Sequence, residues 1–563
     1  MPVEWRPIAS RRGSDASGHQ VGATLAEARR RWPDSPALIM SGRSATHDEI
    51  WRQSETCAKA LIAHGIGPHE NVGIYLPNSW EYVILFNAVT MIGACAVALN
   101  ARFREHELSY AVRKADLCAL FTSTQGDGNF DGRKVLLRAF PEILAAKDLA
   151  DLHPSDAPTL KSVFLTEAAD DETRPSWKEF LGKASAVPQA EFDRMFEAVS
   201  PEDDCLIMFS SGTTADPKAC RLSHRALTLS GEGMARRFHL SSQDRFWDPL
   251  PFFHMSTMLP LAACRSVGAC FIGVSRFEAG AALEEIERTR ATIAYPAFST
   301  ITTAMMAHPD FAARDLSVLR LVLNVGPPDL LRKFQAAFPR AVQVSCYGLT
   351  ECGGLSCYNE LDETLEQRVT TSGRPIDGVE ARIADLATGG TSAEGGTGEI
   401  QLRGTTLFSG YYGDEARTRE AMTADGWLRT GDIGTIDADG RVRYVGRFKD
   451  MLRIGGENVA AAEIESFLTT HPAIRLAQVV GVPDGRLDEV AAAFVELENG
   501  AALTEIDVAR FCAHRIASYK IPRYVRFVHE WPMSATKIQK FRLRENFAPD
   551  RMIDVSALLK AGR

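Results

Sequence analysis

The sequence lacks most features of secreted, metal-binding and nucleic-acid-binding proteins. Its 11 cysteines are an odd number and form no C-x-x-C pairs, and no histidines lie near them at zinc-ligand spacing. We therefore expect structural thiols in a reducing compartment. The formal net charge of -9 argues against nucleic acid as the main partner, because such proteins carry a basic face. Residues 1–15 contain no apolar core, so we expect no signal peptide and a cytoplasmic location.

One long uncharged stretch does not indicate a membrane protein. Residues 82–99 contain no charged side chain, and the stretch is about as long as a membrane span requires. However, Asn87, Thr90 and Gly93 interrupt it. The small, β-prone residues after Gly93 predict a buried strand that follows a buried helix, and we expect no membrane span.

The chain is too long for a single hydrophobic core, and its pattern indicates an α/β fold. With 563 residues, we expect a large domain and at least one smaller domain. Before residue 410, apolar strand-like runs alternate with helical segments, which predicts sheets covered by helices. Residues 152–203 are polar and interrupted by prolines, so we expect a surface excursion between subdomains. The strand-like runs are 71–76, 206–209, 269–274, 319–325 and 342–346.

The pattern of predicted helices and strands changes near Gly446. We predict a large N-terminal domain over residues 1–447 and a smaller, mobile α+β domain over residues 448–563, with a hinge at Lys449. In the smaller domain the pattern predicts helices at 460–468 and 504–516 and strands at 477–482 and 491–497.

A phosphate-binding loop is the most informative local pattern. The segment LIMFSSGTTADPKACRLSHRAL, residues 206–227, changes abruptly from apolar residues to hydroxyls, a glycine and Lys218. Hydroxyls and backbone N–H groups in such a turn can surround phosphate oxygens, and a lysine adds positive charge. The segment is not the loop of P-loop ATPases, and a solvated Ser/Thr loop is the alternative. Ser223 is the expected N-cap of the next helix. The candidate phosphate ligands are Ser210, Ser211, Gly212, Thr213, Thr214 and Lys218.

This segment resembles the nucleotide-phosphate loop of the adenylate-forming superfamily. That superfamily contains acyl- and aryl-CoA ligases, peptide-synthetase adenylation domains and beetle luciferases. Further segments follow in the order typical of the family, and together they span roughly residues 37–547, which makes coincidence negligible. They are PFFH (251–254), YGLTE (347–351), SGRP (372–375), GEIQLRG (398–404), GWLRTGD (426–432), GRFKDMLRIGGENVAAAEIE (446–465) and PMSATKIQK (532–540).

The resemblance implies an ATP-dependent ligase that joins a carboxylic acid to coenzyme A. The acid would attack the α-phosphorus of ATP to give acyl-AMP and pyrophosphate, and the acyl group would then pass to the thiol of CoA. ATP, Mg²⁺ and CoA are the implied cofactors and co-substrates, and we expect a monomer or homodimer. Two alternatives are a stand-alone adenylation enzyme that loads an acyl-carrier protein and a non-enzymatic or oxygenating relative.

The resemblance also implies nucleotide-binding roles. Tyr347 would stack on adenine beside Gly348, and Gly326 stands where the family has an adenine-contacting loop. Asp432 would accept the ribose hydroxyls, and Arg447 would bond to the ribose from the hinge side. A core tyrosine and a turn aspartate are the alternatives for Tyr347 and Asp432.

Three further residues resemble the catalytic groups of the family. Thr350 would bond to the α-phosphate, and Glu351 would be the Mg²⁺ ligand. Lys537 would bridge the acid and the α-phosphate, where a compact ammonium suits two developing oxyanions. The sequence departs from the family at Ala215 and Ala219, which replace usual glycines, and it lacks the usual glycine before Lys537. If those two positions need positive φ, alanine costs about 1 kcal/mol or more.

The remaining candidates concern the acid and CoA. Gly455 and Gly456 would allow close approach of the pantetheine arm. Gly353 and Gly354 would leave room beside the carboxylate end of the acid pocket. Apolar wall candidates indicate a hydrophobic acid, such as a fatty, alicyclic, steroid-side-chain or aryl acid. These wall candidates are Phe253, Met255, Met258, Phe298 and Met305, with His254 at the pocket mouth.

Replacing the proposed catalytic lysine should separate the two half-reactions. Lys537→Ala is expected to abolish adenylation, measured by ATP–pyrophosphate exchange, because the ammonium is assigned to that step alone. Thioester formation from supplied acyl-AMP should persist. An equal loss of both half-reactions would contradict the assignment.

Overall fold

The computed structural model of the chain describes residues 16–124, 130–145, 152, 154–166, 176–210, 217–386, 388–392, 395–454, 457–513, 515–533, 538–549 and 552–555. Within these residues no helix combines the length and apolar character that crossing a membrane requires. All 11 cysteines are buried and unpaired by disulfides. No group of three or more His, Cys, Asp or Glu side chains in the described ranges is arranged to hold a metal ion.

The helices begin mainly at polar caps. They are α1 (Val21–Arg31), α2 (His47–Ala63), α3 (Trp80–Met91), α4 (Glu105–Lys114), α5 (Gly132–Ala139), α6 (Trp177–Gly182), α7 (Gln189–Ala198), α8 (His224–Arg237), α9 (Met255–Val267), α10 (Ala279–Thr289), α11 (Ser299–Ala307), α12 (Pro328–Ala337), α13 (Leu365–Thr370), α14 (Glu415–Ala421), α15 (Ala461–Leu468), α16 (Glu505–Cys512) and α17 (Lys540–Glu545). Ser223 caps α8 by accepting a hydrogen bond from the Ala226 backbone N–H at 3.1 Å, as predicted.

The first sheet has seven strands and is mostly parallel. Its order is β13 (Val342–Val344), β12 (Leu321–Val325), β11 (Ile293–Phe298), β9 (Arg245–Asp248), β10 (Cys270–Gly273), β1 (Pro36–Met40) and β2 (Arg43–Thr46). Only the edge pair β1–β2 is antiparallel. The central strands β9, β10 and β11 are buried along nearly their whole length, which is typical of parallel sheets covered by helices.

The second sheet also has seven strands. Its order is β19 (Gly410–Tyr411), β8 (Lys218–Ser223), β7 (Asp204–Ser210), β4 (Cys95–Ala98), β3 (Asn71–Tyr75), β5 (Leu117–Thr122) and β6 (Ser162–Leu165). The β7–β8 and β8–β19 pairs are antiparallel, and the other pairs are parallel. The uncharged stretch forms most of α3 and then β4, both buried, as predicted.

Two short antiparallel sheets follow in the chain. One contains β14 (Cys346–Tyr347), β15 (Cys357–Tyr358) and β16 (Arg374–Pro375), and the other contains β17 (Val379–Ala384), β18 (Gly398–Gly404), β20 (Leu428–Ile436) and β21 (Val442–Arg447). The predicted strand 342–346 is divided between β13 and β14. The chain changes sheets at Ser345, because its N–H donates to the buried Asn359 Oδ1 at 2.6 Å and leaves the first ladder.

The C-terminal residues form a mixed sheet with its own core. The sheet contains β23 (Glu457–Ala460), β22 (Met451–Ile454), β25 (Asp488–Leu497), β26 (Tyr524–Phe527) and β27 (Ile553–Asp554), and β24 (Ile474–Asp484) also pairs with β25. Leu452, Ile464, Val479 and Val525 are buried against one another here. The α/β class with a smaller C-terminal α+β unit is confirmed, while the boundary at 447/448 and the mobility stay predictions.

One organisational expectation needs correction. Residues 152–203 do not form only a surface excursion. Ser162–Leu165 supplies the buried edge strand β6, and α6 and α7 lie in the same segment. The prolines fall outside β6, so they do not interrupt its ladder.

Candidate active site

Four parallel strands end at one edge of the first sheet, and the predicted site residues follow them. β9, β11, β12 and β13 are neighbours in the sheet and run in the same direction. PFFH follows β9, Gly326 follows β12, and Tyr347 lies shortly after β13. Ligands of open α/β sheets bind outside the carboxyl ends of the strands. The topology therefore brings these segments, distant in the sequence, to one edge of the first sheet.

A buried polar network fixes the strand end that precedes Gly326. Thr302 Oγ1 donates to Asn324 Oδ1 at 2.5 Å, and Asn324 Nδ2 donates to Gln343 Oε1 at 2.9 Å. All three side chains are buried. Because unpaired polar groups are costly in the interior, this network determines how α11, β12 and β13 pack.

A second network joins Tyr347 to two predicted ribose-binding residues. The Tyr347 hydroxyl donates to Asp432 Oδ2 at 2.8 Å, and Arg447 Nε donates to Asp432 Oδ1 at 3.2 Å. Asp432 and Arg447 are paired in the β20–β21 ladder, which places their side chains together. Burial, together with the Asp432 carboxylate, raises the pKa of Tyr347 well above its usual value. The hydroxyl therefore stays protonated and donates.

The ring of Tyr347 also has an aromatic neighbour. Tyr444 of β21 lies nearly parallel to it, with ring centroids 6.0 Å apart and an interplanar angle of 26°. Tyr444 remains 41% exposed, whereas Tyr347 is 6% exposed. The two rings thus form an aromatic surface beside the Asp432 carboxylate.

The phosphate-loop segment lies at the end of a hairpin. Ser210 ends β7 and pairs with Lys218, which begins β8. Ser211, Gly212, Thr213 and Thr214 lie outside the described residues. Ala219 occupies an extended position in β8 and is absent from the positive-φ residues of the described chain, so it carries no left-handed strain.

A third network connects this hairpin to Glu351. The Tyr411 hydroxyl donates to Glu351 Oε1 at 2.9 Å, and Lys218 Nζ donates to the Tyr411 hydroxyl at 3.4 Å. The Lys218 ammonium also lies 4.9 Å from the centroid of the Tyr411 ring. The structure therefore brings together the predicted Mg²⁺ ligand and the predicted phosphate-binding lysine through a tyrosine.

Glu351 lies in a 3₁₀ turn, Thr350–Cys352, that is held from within. The Cys352 thiol donates to the Leu349 carbonyl at 3.1 Å, and the Leu349 N–H contacts the same sulfur at 3.2 Å. Thr350 is half-buried, and Glu351 is buried. Cys352 thus has the structural role expected of it.

The candidate acid pocket lies at the start of α9. His254 is the N-cap residue of α9, and its ring centroid is 4.8 Å from that of Phe253. Phe253, Met255 and Met258 are buried in one core cluster, and the half-buried Phe298 packs against that cluster. Four predicted wall candidates therefore belong to the main apolar core of the large N-terminal region.

Two other pocket predictions change with the structure. Met305 is buried in a different cluster, with Trp247. A Cβ at Gly353 would lie 2.4 Å from Ser230 Oγ and 2.7 Å from the Thr406 carbonyl oxygen, so the predicted space there is already filled. Gly353 serves a turn with φ of 78°.

Gly354 remains a candidate for the pocket. Its φ is 103°, a conformation that favours glycine. A Cβ there would lie 3.2 Å from both Met255 and Leu259 of α9. This glycine therefore borders the apolar region at the start of α9.

The family follows from comparison with known proteins. Residues 25–412 match the family described as AMP-binding enzyme, and residues 463–537 match the AMP-binding enzyme C-terminal domain. The chain belongs to this family of AMP-binding enzymes.

Relatives place this AMP-binding enzyme in the acyl-CoA ligase branch. The 3-[(3aS,4S,7aS)-7a-methyl-1,5-dioxo-octahydro-1H-inden-4-yl]propanoyl:CoA ligase of Mycobacterium tuberculosis is 35% identical over 531 residues, which cover 93% of this chain and 98% of the relative. The medium-chain acyl-CoA ligase ACSF2, mitochondrial, of Homo sapiens is 31% identical over 548 residues, covering 93% and 87%. The anthranilate CoA ligase AuaEII in complex with anthranoyl-AMP has a TM-score of 0.80 at 26% identity, covering 97% and 98%. The chain is an AMP-forming acyl-CoA ligase.

Sequence reasoning missed two residues of the site in this AMP-binding enzyme. Tyr411 contacts Glu351 and Lys218, and Tyr444 lies beside Tyr347. Neither residue stands in a segment that resembles a family motif: Tyr411 lies in the two-residue strand β19, and Tyr444 lies within β21. Gly455, Gly456 and Lys537 lie outside the described residues.

Removing the hydroxyl of Tyr347 should weaken nucleotide binding. In Tyr347→Phe the buried Asp432 carboxylate loses the hydrogen bond that the Tyr347 hydroxyl donates to it, so we expect KM for ATP to rise roughly tenfold. KM for the acid should change less. The measurement is ATP–pyrophosphate exchange at varied ATP and at varied acid.

Tyr358→Phe is the matched control. Tyr358 lies opposite Cys346 in the same small sheet, and its buried hydroxyl has no hydrogen-bond partner among the described residues. This substitution should leave KM for ATP unchanged. If both variants shift KM equally, the Tyr347–Asp432 hydrogen bond has no specific role in nucleotide binding.

Proposed function

We propose that the protein activates a hydrophobic carboxylic acid with ATP and transfers the acyl group to CoA. The acid carboxylate attacks the α-phosphorus, pyrophosphate leaves, and acyl-AMP forms. The CoA thiol then attacks the acyl carbonyl, and AMP leaves. Such phosphoryl-centre chemistry depends mainly on positioning and charge stabilisation.

The observation that carries this proposal is the position of the segment from Tyr347 to Glu351. One end contacts Asp432, and the other contacts Lys218 through Tyr411. This arrangement suits a nucleotide that lies along the segment, with its ribose at Asp432 and Arg447. Its phosphates would then reach Lys218.

We assign the remaining nucleotide contacts accordingly. Tyr347, Gly348 and Gly326 would surround the adenine. Thr350 would bond to the α-phosphate, and Lys537 would stabilise the charge that develops between acid and phosphate. The phosphate loop from Ser210 to Thr214 would enclose the leaving pyrophosphate.

Glu351 fits a Mg²⁺ ion that arrives with ATP. A single carboxylate oxygen, with phosphates and water as the other ligands, is how proteins usually hold this ion. The described residues contain no cluster of three carboxylate, His or Cys side chains, so they offer no separate protein cage. When bound, Mg²⁺ would neutralise charge on the phosphates.

The acid is proposed to be apolar and of medium or larger size. Phe253, Met255 and Met258 offer no charged group near the start of α9. The names of the relatives from M. tuberculosis and H. sapiens specify a bicyclic and a medium-chain acid, respectively. Both are consistent with an apolar pocket at that position.

CoA is the proposed acceptor, and a carrier protein is the alternative. Gly455 and Gly456 would line the pantetheine path, and Lys449 would be the pivot that brings them to the acyl-AMP. The acyl-CoA ligase names of the relatives support CoA.

An acid panel with two acceptors tests the proposal. AMP release should depend on both an apolar acid and CoA, and it should be greatest for medium-chain, alicyclic or aryl acids. Short polar acids are the control. A larger rate with an acyl-carrier protein than with CoA would favour the alternative, and pyrophosphate exchange with none of the acids would contradict the proposal.

A proline at the proposed pivot should affect only the second step. Lys449→Pro fixes φ at about -65°. If the small domain rotates between the two steps, adenylation should continue and CoA-thioester formation should fall at least about tenfold. Lys449→Ala is the matched control and should retain both steps. Unchanged turnover in the proline variant would contradict the hinge.

A further inference from the structure

Tyr411 connects two groups of opposite charge without letting them meet. Its hydroxyl donates to Glu351 Oε1 and accepts from Lys218 Nζ. Among the described residues, no ion pair joins Lys218 directly to Glu351. We propose that Tyr411 is a positioning residue that holds the Glu351 carboxylate and the Lys218 ammonium apart, each oriented for the phosphates of ATP. The inference rests on the proposed adenylation function.

The direction of the two hydrogen bonds follows from the chemistry of the groups. A lysine ammonium only donates, and an ionised carboxylate only accepts. A phenol hydroxyl has one proton to donate and lone pairs that accept. The proton of the hydroxyl therefore points to Glu351, and its lone pair receives Lys218.

Tyr411 is held by strand pairing, by a hydrogen bond to a neighbouring side chain and by an aromatic contact. Tyr411 pairs with Cys220 in the β8–β19 ladder, and its N–H donates to Thr418 Oγ1 at 2.9 Å. Its ring meets that of Phe408 edge to face, with centroids 4.9 Å apart. The hydroxyl therefore has little freedom to move away from Glu351.

The same segment also holds the turn that carries Glu351. The Phe408 N–H donates to the Glu351 carbonyl at 2.9 Å, and the Tyr412 N–H donates to the Ala219 carbonyl at 2.8 Å. Residues 408–412 thus contact the Glu351 turn on one side and β8, which begins at Lys218, on the other. The Tyr411 side chain therefore links the same two elements, the Glu351 turn and β8, that the backbone of this segment already links.

A neutral residue between Lys218 and Glu351 matters because a direct ion pair would engage both charges with each other. An ammonium and a carboxylate in contact satisfy one another, and separating them on ATP binding would cost affinity. The phenol is neutral, so it fixes their positions without neutralising either. Glu351 and Lys218 remain available for the metal ion and the phosphates.

Tyr411→Phe tests this directly, since phenylalanine keeps the ring and its contact with Phe408. The probe is α,β-methylene-ATP, whose binding is measured by calorimetry with Mg²⁺ and again with EDTA. We expect the Mg²⁺-dependent gain in affinity to fall roughly tenfold, the size expected for a lost hydrogen bond to a charged group. Pyrophosphate exchange should fall, and acyl transfer from supplied acyl-AMP should not change.

Tyr412→Phe is the matched control. Tyr412 is the next residue, and its hydroxyl also donates to a carboxylate, Asp116 Oδ2 at 3.2 Å. This variant should bind the analogue like the wild type. If Tyr411→Phe also binds like the wild type, or loses affinity equally with Mg²⁺ and EDTA, the positioning role is overturned.

A double-mutant cycle shows whether Tyr411 acts through Glu351. In a Glu351→Gln background, removing the Tyr411 hydroxyl should change analogue binding by less than about twofold, because the carboxylate is already absent. Fully additive effects would overturn the inference. If the wild-type protein catalyses no pyrophosphate exchange with any acid, the proposed function is contradicted. If the wild type exchanges normally and Tyr411→Phe binds the analogue like the wild type, only this inference is contradicted.

Discussion

Two buried carboxylates determine how the site is built, and each is satisfied by the hydroxyl of a tyrosine. Asp432 is 3% exposed and Glu351 is 9% exposed. A carboxylate removed from water is stable only when hydrogen bonds or positive charge replace its hydration. Tyr347 and Tyr411 supply these bonds at 2.8 and 2.9 Å. The segment from Tyr347 to Glu351 is therefore held at both ends by the same kind of contact.

These contacts join parts of the chain that are far apart in sequence. Tyr347 and Asp432 are separated by 85 positions, Tyr411 and Glu351 by 60, and Lys218 and Tyr411 by 193. Bringing such distant residues together costs more chain entropy than forming a local helix does. The site consequently depends on the pairing of β8 with β19 and of β20 with β21.

The parts of the fold with strong local patterns were predictable. The buried helix and strand within residues 82–99, the cap at Ser223 and the main strands follow from composition, periodicity and capping chemistry. The edge strand β6 was not predicted, because the prolines around it dominate the local pattern. The division at Ser345 depends on the side chain of Asn359, which no local signal reveals.

The candidate site was predictable where a motif of the family is present and not elsewhere. Tyr347, Glu351 and Asp432 stand in such segments, whereas Tyr411 acquires its position only through strand pairing. The packing around Gly353 was also hidden, since Ser230 and Thr406 approach it from other elements. The type of a residue indicates which chemistry it can perform, but its distance to residues of other elements is known only once the sheets are assembled.

The burial of the cysteines has a consequence for chemical selectivity. An acyl adenylate is a mixed anhydride, and any thiolate within reach would capture its acyl group. Cys352 adjoins Glu351 in the chain, and the Cys220 sulfur lies 3.6 Å from Ser210 Oγ. Burial raises the pKa of Cys352 to about 11 and that of Cys220 well above its usual value, so both remain protonated and poorly nucleophilic near neutral pH. In the proposed two-step reaction, neither of these thiols would therefore compete with the thiol of CoA for the acyl group.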